Sequence, residues 1–225
     1  MRSSIILLKI VALLLILVPG KADAQLTKQQ AAEQKEAALK SWIGKPFPAF
    51  SFPGSMGRMY TNKDFEGKVT LVDVWELRCQ PCMYSIKYFN AIHDSLQRRG
   101  FQLFSMIMND WGECNSFIAN SRNPVSKDYS FPNYDVMSMG SAKPTAANKS
   151  ASERLNSMGW PYFFVVDGSG IIRAVHAGFA VGNDVHAERP AKEPYANRSI
   201  QWMMGAMSRV QNADRDPAAS ELLRR

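Results

Sequence analysis

Residues 73–83, DVWELRCQPCM, contain two cysteines separated by two residues, Cys79 and Cys82. Such a pair can bind a metal ion, close a structural disulfide or exchange electrons with other proteins. The residues around the pair distinguish between these uses. Immediately before it, KVTLVDVW (Lys68–Trp75) is a short valine-rich run, which is typical of a strand buried on both faces.

The residues that follow the pair have a helical period. One apolar side of the predicted helix is formed by Cys82, Ile86, Phe89, His93 and Leu96. Pro81 suits the first turn and Gly100 a helix end, and residues 101–108 form a second apolar run that predicts a strand. A strand–helix–strand unit places the cysteines at the carboxyl end of its first strand, where open α/β sheets carry their chemistry.

The placement of the pair favours electron exchange. A zinc site needs four ligands, but only Cys114 and three scattered histidines remain. A structural disulfide would close a loop too short to restrain the unfolded chain. In contrast, a Cys79 thiolate would lie against the free N–H groups of the helix start, which lower its pKa. Cys82 could then attack the mixed disulfide and release the partner.

Two segments resemble landmarks of the thioredoxin superfamily. LVDVWELRCQPC (71–82) is similar to the active-site segment of thioredoxins, and GWPYFFVVDGSGIIRAVHAG (159–178) to their proline-led hairpin. The resemblance covers residues 42–210. The sequence leading into the domain, the long insertion and the secretory leader are most similar to exported TlpA/ResA-like thiol-disulfide oxidoreductases.

This resemblance implies an α/β thioredoxin-like fold with a central mixed sheet flanked by helices. It also implies an N-terminal extension and an insertion before a cis-proline. The Trp160–Pro161 bond is expected to be cis, with its loop facing the cysteines. Cys79 and Cys82 are then the redox-active pair, and no cofactor or metal is required.

Two further residues of the first segment keep thioredoxin-like places. Asp73 stands in an otherwise apolar strand, where burial would raise its pKa and suit it to take a proton from Cys82 through a water. Trp75 is expected to pack beside the site. Trp160 is expected to modulate it from the proline loop.

The sequence also departs from the family pattern. Arg78 replaces the usual tryptophan before the first cysteine, and Ser85 stands where exported relatives often have glutamate. Proton handling by that glutamate therefore cannot be transferred to this chain. The dipeptide between the cysteines matches neither the most reducing nor the most oxidising members, so it leaves the direction of electron flow open. Cys114 is expected to be either a buried small hydrophobic residue or an inert loop cysteine, and a thiol that pairs with a partner is the alternative.

The N-terminal residues of the sequence predict export. Two basic residues, an apolar run (Ile10–Val18) and a small-residue triplet ending at Ala24 form a secretory signal. An uncleaved anchor is the alternative, although the run is shorter than the ~20 residues of a spanning helix. The predicted organisation is a signal peptide (1–24), a polar helix or tether (25–41), the thioredoxin-like domain (42–210) with an insertion (109–147), and a tail (211–225).

Charge and composition narrow the partners. The 225-residue chain carries a formal net charge of +7 without a dense basic block, which argues against nucleic acid. Client proteins with disulfides or thiols are expected, and the resemblance implies a membrane-bound redox partner. The alternatives are a thiol oxidase or isomerase, and a copper-binding chaperone that uses Cys79, Cys82 and a histidine such as His176.

Arg78 yields the first testable prediction. A fixed positive charge beside Cys79 should lower its thiol pKa by about half to one unit beyond the effect of the helix start. The Arg78→Ala variant should therefore have a higher Cys79 pKa, measured by thiolate absorbance against pH. If the two Cys79 pKa values agree within about 0.2 units, the charge of Arg78 does not affect the sulfur.

Overall fold

The computed structural model describes residues 28–119, 131–180 and 193–215. The predicted signal peptide and the last ten residues of the predicted tail lie outside the described residues. The chain divides into two compact units, the second of which begins at Ala38 and contains the whole sheet. The polar segment before the domain is helical from Lys28 to Lys40. Within the described ranges, no helix is long and apolar enough to cross a membrane.

The described elements include the strand–helix–strand unit predicted around the cysteines. The helices are α1 (Lys28–Lys40), α2 (Gln80–Arg98), α3 (Trp111–Ala119), α4 (Ala146–Asn156) and α5 (Arg198–Arg215). The strands are β1 (Ser51–Pro53), β2 (Met59–Thr61), β3 (Val69–Trp75), β4 (Phe101–Ile107), β5 (Val136–Ser138), β6 (Tyr162–Val166) and β7 (Ile172–Ala177). Short 3₁₀ turns lie at Asn62–Phe65 and Pro194–Ala196.

The main sheet is mixed, as predicted, with strand order β5-β4-β3-β6-β7. Strand β3 pairs in parallel with β4, and β4 in parallel with β5. Strand β6 runs antiparallel to β3 and forms a hairpin with β7. Strands β1 and β2 pair separately. The carboxyl end of β3 therefore lies beside the start of β6, which brings the two sequence landmarks to one edge of the sheet.

Strand β3 is buried at all seven positions, because layers cover both of its faces. Its odd-numbered side chains face α2 and α5, whose apolar residues include Phe89 and Met203. Its even-numbered side chains pack with α4 and the segment before β1, including Phe47 and Leu155. Valine is favoured at such positions because its branched side chain fits a pleated surface packed on both sides.

Helix α2 has the start and stop that its sequence predicts. Pro81 occupies the first turn, where a missing N–H is tolerated. Ile86 and Phe89 are fully buried on the side that faces the sheet. Gly100 has φ 78°, a left-handed conformation that glycine adopts without strain and that turns the chain into β4.

Two boundaries differ from the sequence prediction. The insertion contains strand β5, which the loop-rich sequence did not indicate because only three residues pair with β4. Helix α5 continues to Arg215 and so includes the first five residues of the predicted tail, 211–215. Val210 and Ala213 are buried, so packing against the domain extends the helix into the predicted tail.

Asn148 joins α4 to the first strand. Its amide donates to the carbonyls of Ser51 (3.0 Å) and Lys143 (2.9 Å) and accepts the Ser51 N–H (2.7 Å). Asn148→Ala would leave these sheltered backbone groups without partners and should lower the free energy of unfolding by about 2 kcal/mol, measured by urea denaturation. Asn156→Ala, at an exposed position of the same helix, should change it by less than about 0.5 kcal/mol. Equal losses would show that the Asn148 bonds add nothing.

Candidate active site

Cys79 is the residue at which the chain passes from the β3 loop into α2. Its backbone is extended, with φ −83° and ψ 100°, and its sulfur caps the helix by accepting the Cys82 N–H at 3.2 Å. The two sulfur atoms form a disulfide, with the Cα atoms 5.2 Å apart. A thiolate at Cys79 would therefore meet an N–H donor and the positive end of the helix dipole, both of which favour the charged form.

The two cysteines differ in exposure. The Cys79 residue is 9% exposed, whereas Cys82 is fully buried. Both pack in one apolar cluster with Trp75 and Ile107. A large partner can therefore reach Cys79 first, while Cys82 is kept for attack from within the protein.

A side chain beyond β4 fixes the loop before Cys79. The Asn109 amide accepts the Leu77 N–H at 2.9 Å and donates to the Glu113 carboxylate at 3.0 Å. Glu113 and Asp110 cap the start of α3 reciprocally through each other's backbone N–H groups. The loop is thus tied to α3, a link that the sequence did not reveal because Leu77 and Asn109 lie far apart along the chain.

The Asp73 carboxyl group is completely buried in the middle of β3. Among the described residues, neither of its oxygens has a hydrogen-bond partner. Burial raises the pKa of Asp73 well above its ordinary value, because the charged form loses its hydration. The predicted environment of this carboxyl is therefore present, and it lies on the sheet face that α2 covers.

Hydroxyl groups surround Asp73 on that face. Ser105 is its register partner on β4, and the Ser105 hydroxyl accepts the Trp75 indole N–H at 2.7 Å. Tyr134, just before β5, is buried in the adjoining apolar cluster. Trp75 is fully buried and packs with the cysteines, so its indole contacts residues of this protein and is not exposed to a partner. Ser105 and Tyr134 were missed by sequence reasoning, although a serine within an apolar strand was a usable signal.

The proline landmark lies at the same end of the sheet. The Trp160–Pro161 bond is cis, and β6 begins immediately afterwards with Tyr162 opposite Val74. Pro161 is buried, whereas Trp160 is 36% exposed and is among the largest exposed apolar side chains. The register places this loop beside the carboxyl end of β3, from which the cysteine loop departs.

Arg78 is exposed and borders a surface pocket of about 530 Å³ beside Cys79. Asp110 and Glu113 line the same pocket. Arg78 thus lines a pocket that also contains two carboxylates, and the effect of its charge on the Cys79 pKa stays a prediction. Ser85, at the family's glutamate position, is buried and donates its hydroxyl to the Cys82 carbonyl at 2.8 Å.

The remaining candidates lie apart from this constellation. His93 stacks on Tyr134, and His176 stacks on Trp202 with ring centroids 4.7 Å apart. Burial lowers the pKa of His176, because the charged imidazole loses its hydration. Across residues 28–119, 131–180 and 193–215, no group of three or more His, Cys, Asp and Glu side chains is close enough to hold a metal ion.

Comparison with known families identifies a match over most of the domain. The AhpC/TSA family model matches residues 43–175. The thiol:disulfide interchange protein DsbE of Tatumella citrea is 30% identical over 157 residues, 68% of this chain and 70% of the relative. DsbE of Vibrio cholerae is 24% identical over 181 residues, covering 79% and 87%. The thiol-disulfide oxidoreductase ResA of Bacillus cereus is 24% identical over 106 residues, 47% of this chain and 58% of its own length.

Solved structures agree on the fold. The mitochondrial 2-Cys peroxiredoxin from Plasmodium falciparum has a TM-score of 0.53 at 16% identity, with 78% of this chain and 97% of that chain covered. A DsbE protein from Chlorobium tepidum has a TM-score of 0.49 at 24% identity, covering 73% and 97%. The thioredoxin-like fold predicted from the two landmarks is confirmed.

Cys114 yields a prediction from its place on α3. It is a free thiol, 1% exposed, and it packs in the same cluster as Cys79 and Cys82. Burial and the carboxylates of Asp110 and Glu113 raise the pKa of Cys114 to about 11. In the reduced protein, iodoacetamide should therefore modify Cys79 near neutral pH and leave Cys114 unmodified until the protein unfolds, as mass spectrometry would show.

The Cys114→Ser variant is the matched control. It should retain the rapidly modified thiol and lose one of the two thiols that unfolding exposes, the other being Cys82. A covalent dimer that forms in the oxidised wild type and disappears in this variant would contradict an inert Cys114.

Proposed function

Because the chain belongs to the AhpC/TSA family, we propose that it is an exported thiol-disulfide oxidoreductase that reduces disulfide bonds in other proteins. The observation that carries the proposal is the Cys79–Cys82 disulfide at the start of α2, with only Cys79 reaching the surface. Relatives that match over two thirds or more of the chain are named as thiol:disulfide interchange proteins. Export is proposed from the leader sequence.

The first step of the proposed reaction uses Cys79. Its thiolate, held by the Cys82 N–H and the helix start, attacks one sulfur of a client disulfide. A Cys79–client disulfide forms, the client S–S bond breaks, and the client sulfur that leaves takes a proton from water. The exposed Trp160 beside this edge of the sheet would offer an apolar surface to the client chain.

The second step uses the buried pair. Cys82 gives its proton to Asp73 and attacks the Cys79 sulfur, which restores the Cys79–Cys82 disulfide and releases the second client thiolate. The client gains two electrons, and the enzyme dithiol loses them. A carboxyl group with a raised pKa suits this proton transfer, because its proton affinity approaches that of a thiol. A membrane-bound electron donor is the proposed source of the electrons that reduce the enzyme again.

The test is the reduction potential of the Cys79–Cys82 pair, together with trapping of the intermediate. A reductase should have a potential near that of thioredoxin, roughly −270 mV, when equilibrated with glutathione or dithiothreitol. The Cys82→Ser variant should accumulate a mixed disulfide with a model client, whereas Cys79→Ser should not, because only Cys79 is accessible.

Three outcomes would contradict the proposal. A potential near −120 mV would indicate a thiol oxidase rather than a reductase. A mixed disulfide formed by Cys79→Ser would reverse the roles of the two sulfurs. Tight stoichiometric Cu(I) binding by the reduced protein, without disulfide reduction, would indicate a copper carrier.

A further inference from the structure

The core beneath α2 contains a small polar island. The side chains of β3, β4 and β6 that face this helix are otherwise apolar, among them Leu71, Leu103 and Phe163. Asp73 interrupts β3, and Ser105 stands directly opposite it on β4. Both side chains are fully buried. A fold that required only packing would place apolar residues here, since burying a polar group costs free energy unless it is paired.

Tyr134 approaches this island from the edge of the sheet. It precedes β5 by two residues, and Val136, the first residue of β5, pairs with Ser105. The Tyr134 ring is 4% exposed and packs in the α2-facing cluster with Leu103 and Phe163. It stacks on His93, with ring centroids 5.1 Å apart and planes 18° apart.

Asp73 and Tyr134 both have side-chain oxygens without a hydrogen-bond partner among the described residues. In the part of the chain that the structure describes, the only buried side-chain N and O atoms without hydrogen bonds are both Asp73 oxygens and the Tyr134 hydroxyl. Such atoms are rare in folded proteins and call for an explanation. Here an acceptor and a donor are buried in the same layer of the core. Burial raises the pKa of Tyr134, the Asp73 carboxylate raises it further and the Ser105 hydroxyl lowers it, so both polar side chains of the island act on the Tyr134 hydroxyl.

We propose that the Tyr134 hydroxyl is the donor that stabilises the ionised Asp73 carboxyl when this group is ready to accept the Cys82 proton. The inference rests on the proposed function and deepens it. In the reduced enzyme, ionised Asp73 accepts a hydrogen bond from Tyr134. When the Cys82 thiol transfers its proton, Asp73 becomes neutral and Cys82 becomes the nucleophilic thiolate. Tyr134 keeps its own proton throughout, so it is a positioning residue and not a catalytic one.

The competing donor in the island is Ser105. Its hydroxyl accepts the Trp75 indole N–H at 2.7 Å but keeps its own proton, so the Ser105→Ala variant has to be compared with Tyr134→Phe. Helix α5 contributes apolar residues to this cluster, including Ile200 and Met203. The titratable side chains that α2 contributes to this side of the core are Cys82, Tyr84, Tyr88 and His93.

The decisive measurement is the pKa of Asp73 in the reduced protein, followed by carboxyl infrared absorption against pH. Tyr134→Phe keeps the ring and its stack on His93 but removes the hydroxyl. Loss of a hydrogen bond to a charged group should raise the Asp73 pKa by about one unit. Asp73→Asn identifies the infrared signal, because the band should be absent from that variant.

Tyr88→Phe is the matched control. It removes another buried hydroxyl from the same cluster, 3.4 Å from that of Tyr84. We expect no change of the Asp73 pKa in this variant. If the Asp73 pKa in Tyr134→Phe lies within about 0.2 units of the wild-type value, the inference is overturned, because loss of a hydrogen bond should change it by more. A lower Asp73 pKa in this variant would also overturn it, because Tyr134 would then accept a hydrogen bond from the neutral acid. A shift produced by Ser105→Ala but not by Tyr134→Phe would assign the donor to Ser105 and also overturn it.

The rate of mixed-disulfide resolution separates this inference from the proposed function. Its pH midpoint should rise by about one unit in Tyr134→Phe, so the rate below the midpoint should fall about tenfold. If Asp73→Asn leaves the pH profile unchanged, the proposed proton acceptor is wrong and so is the role of Tyr134. If Asp73→Asn abolishes the profile while Tyr134→Phe changes neither midpoint nor pKa, only the present inference fails.

A second measurement needs no substitution at Tyr134. Biosynthetic replacement of tyrosine by 3-fluorotyrosine makes every phenol a stronger donor and should lower the Asp73 pKa. The same labelling in the Tyr134→Phe background should leave the Asp73 pKa unchanged. An equal fall in both proteins would overturn the inference, because the effect would then come from another tyrosine.

Discussion

Strand β3 is buried along its whole length, and a carboxyl group stands in its middle. This arrangement costs stability, and the sign follows from the shifted pKa. In the unfolded chain Asp73 loses its proton near the ordinary aspartate pKa of 3.8, whereas in the folded protein its pKa is raised and it keeps the proton to higher pH. Above that value the unfolded state binds fewer protons, so stability falls as pH rises through the interval between the two pKa values. A group that weakens the fold at the pH of function is better explained by chemistry than by packing.

The same packing divides the work between the two cysteines. Trp75 and Ile107 cover the first turn of α2, so Cys82 is sealed while the preceding residue of the pair, Cys79, reaches the surface. The loop before Cys79 is anchored, because the Asn109 amide oxygen accepts a hydrogen bond from the Leu77 N–H. The order of attack is thus set by burial and by loop anchoring, while the helix start favours the thiolate at the accessible sulfur.

Much of this arrangement could be predicted from local pattern. A valine-rich run, the helical period after it and the cysteine spacing predicted β3, α2 and the redox pair, since each depends on neighbours along the chain. Strand β5 could not be predicted, because three paired residues carry too little periodicity. The Asn109 anchor and Tyr134 were missed for a different reason. The residues around them are distant in sequence, and the pairing of β4 with β5 carries Tyr134 to the sheet face on which Asp73 lies.

The insertion before the proline loop is therefore more than a surface addition. Its short strand extends the sheet by pairing with β4, and the residue two positions before that strand enters the core beneath α2. Where exported relatives often use a glutamate on this helix, Ser85 only donates to the Cys82 carbonyl. A chain that lacks the helical acid but keeps Asp73 must control the proton affinity of Asp73 from another direction. The β5 edge of the sheet supplies a buried phenol, Tyr134, and the role inferred for it would place proton control on the insertion rather than on the cysteine helix.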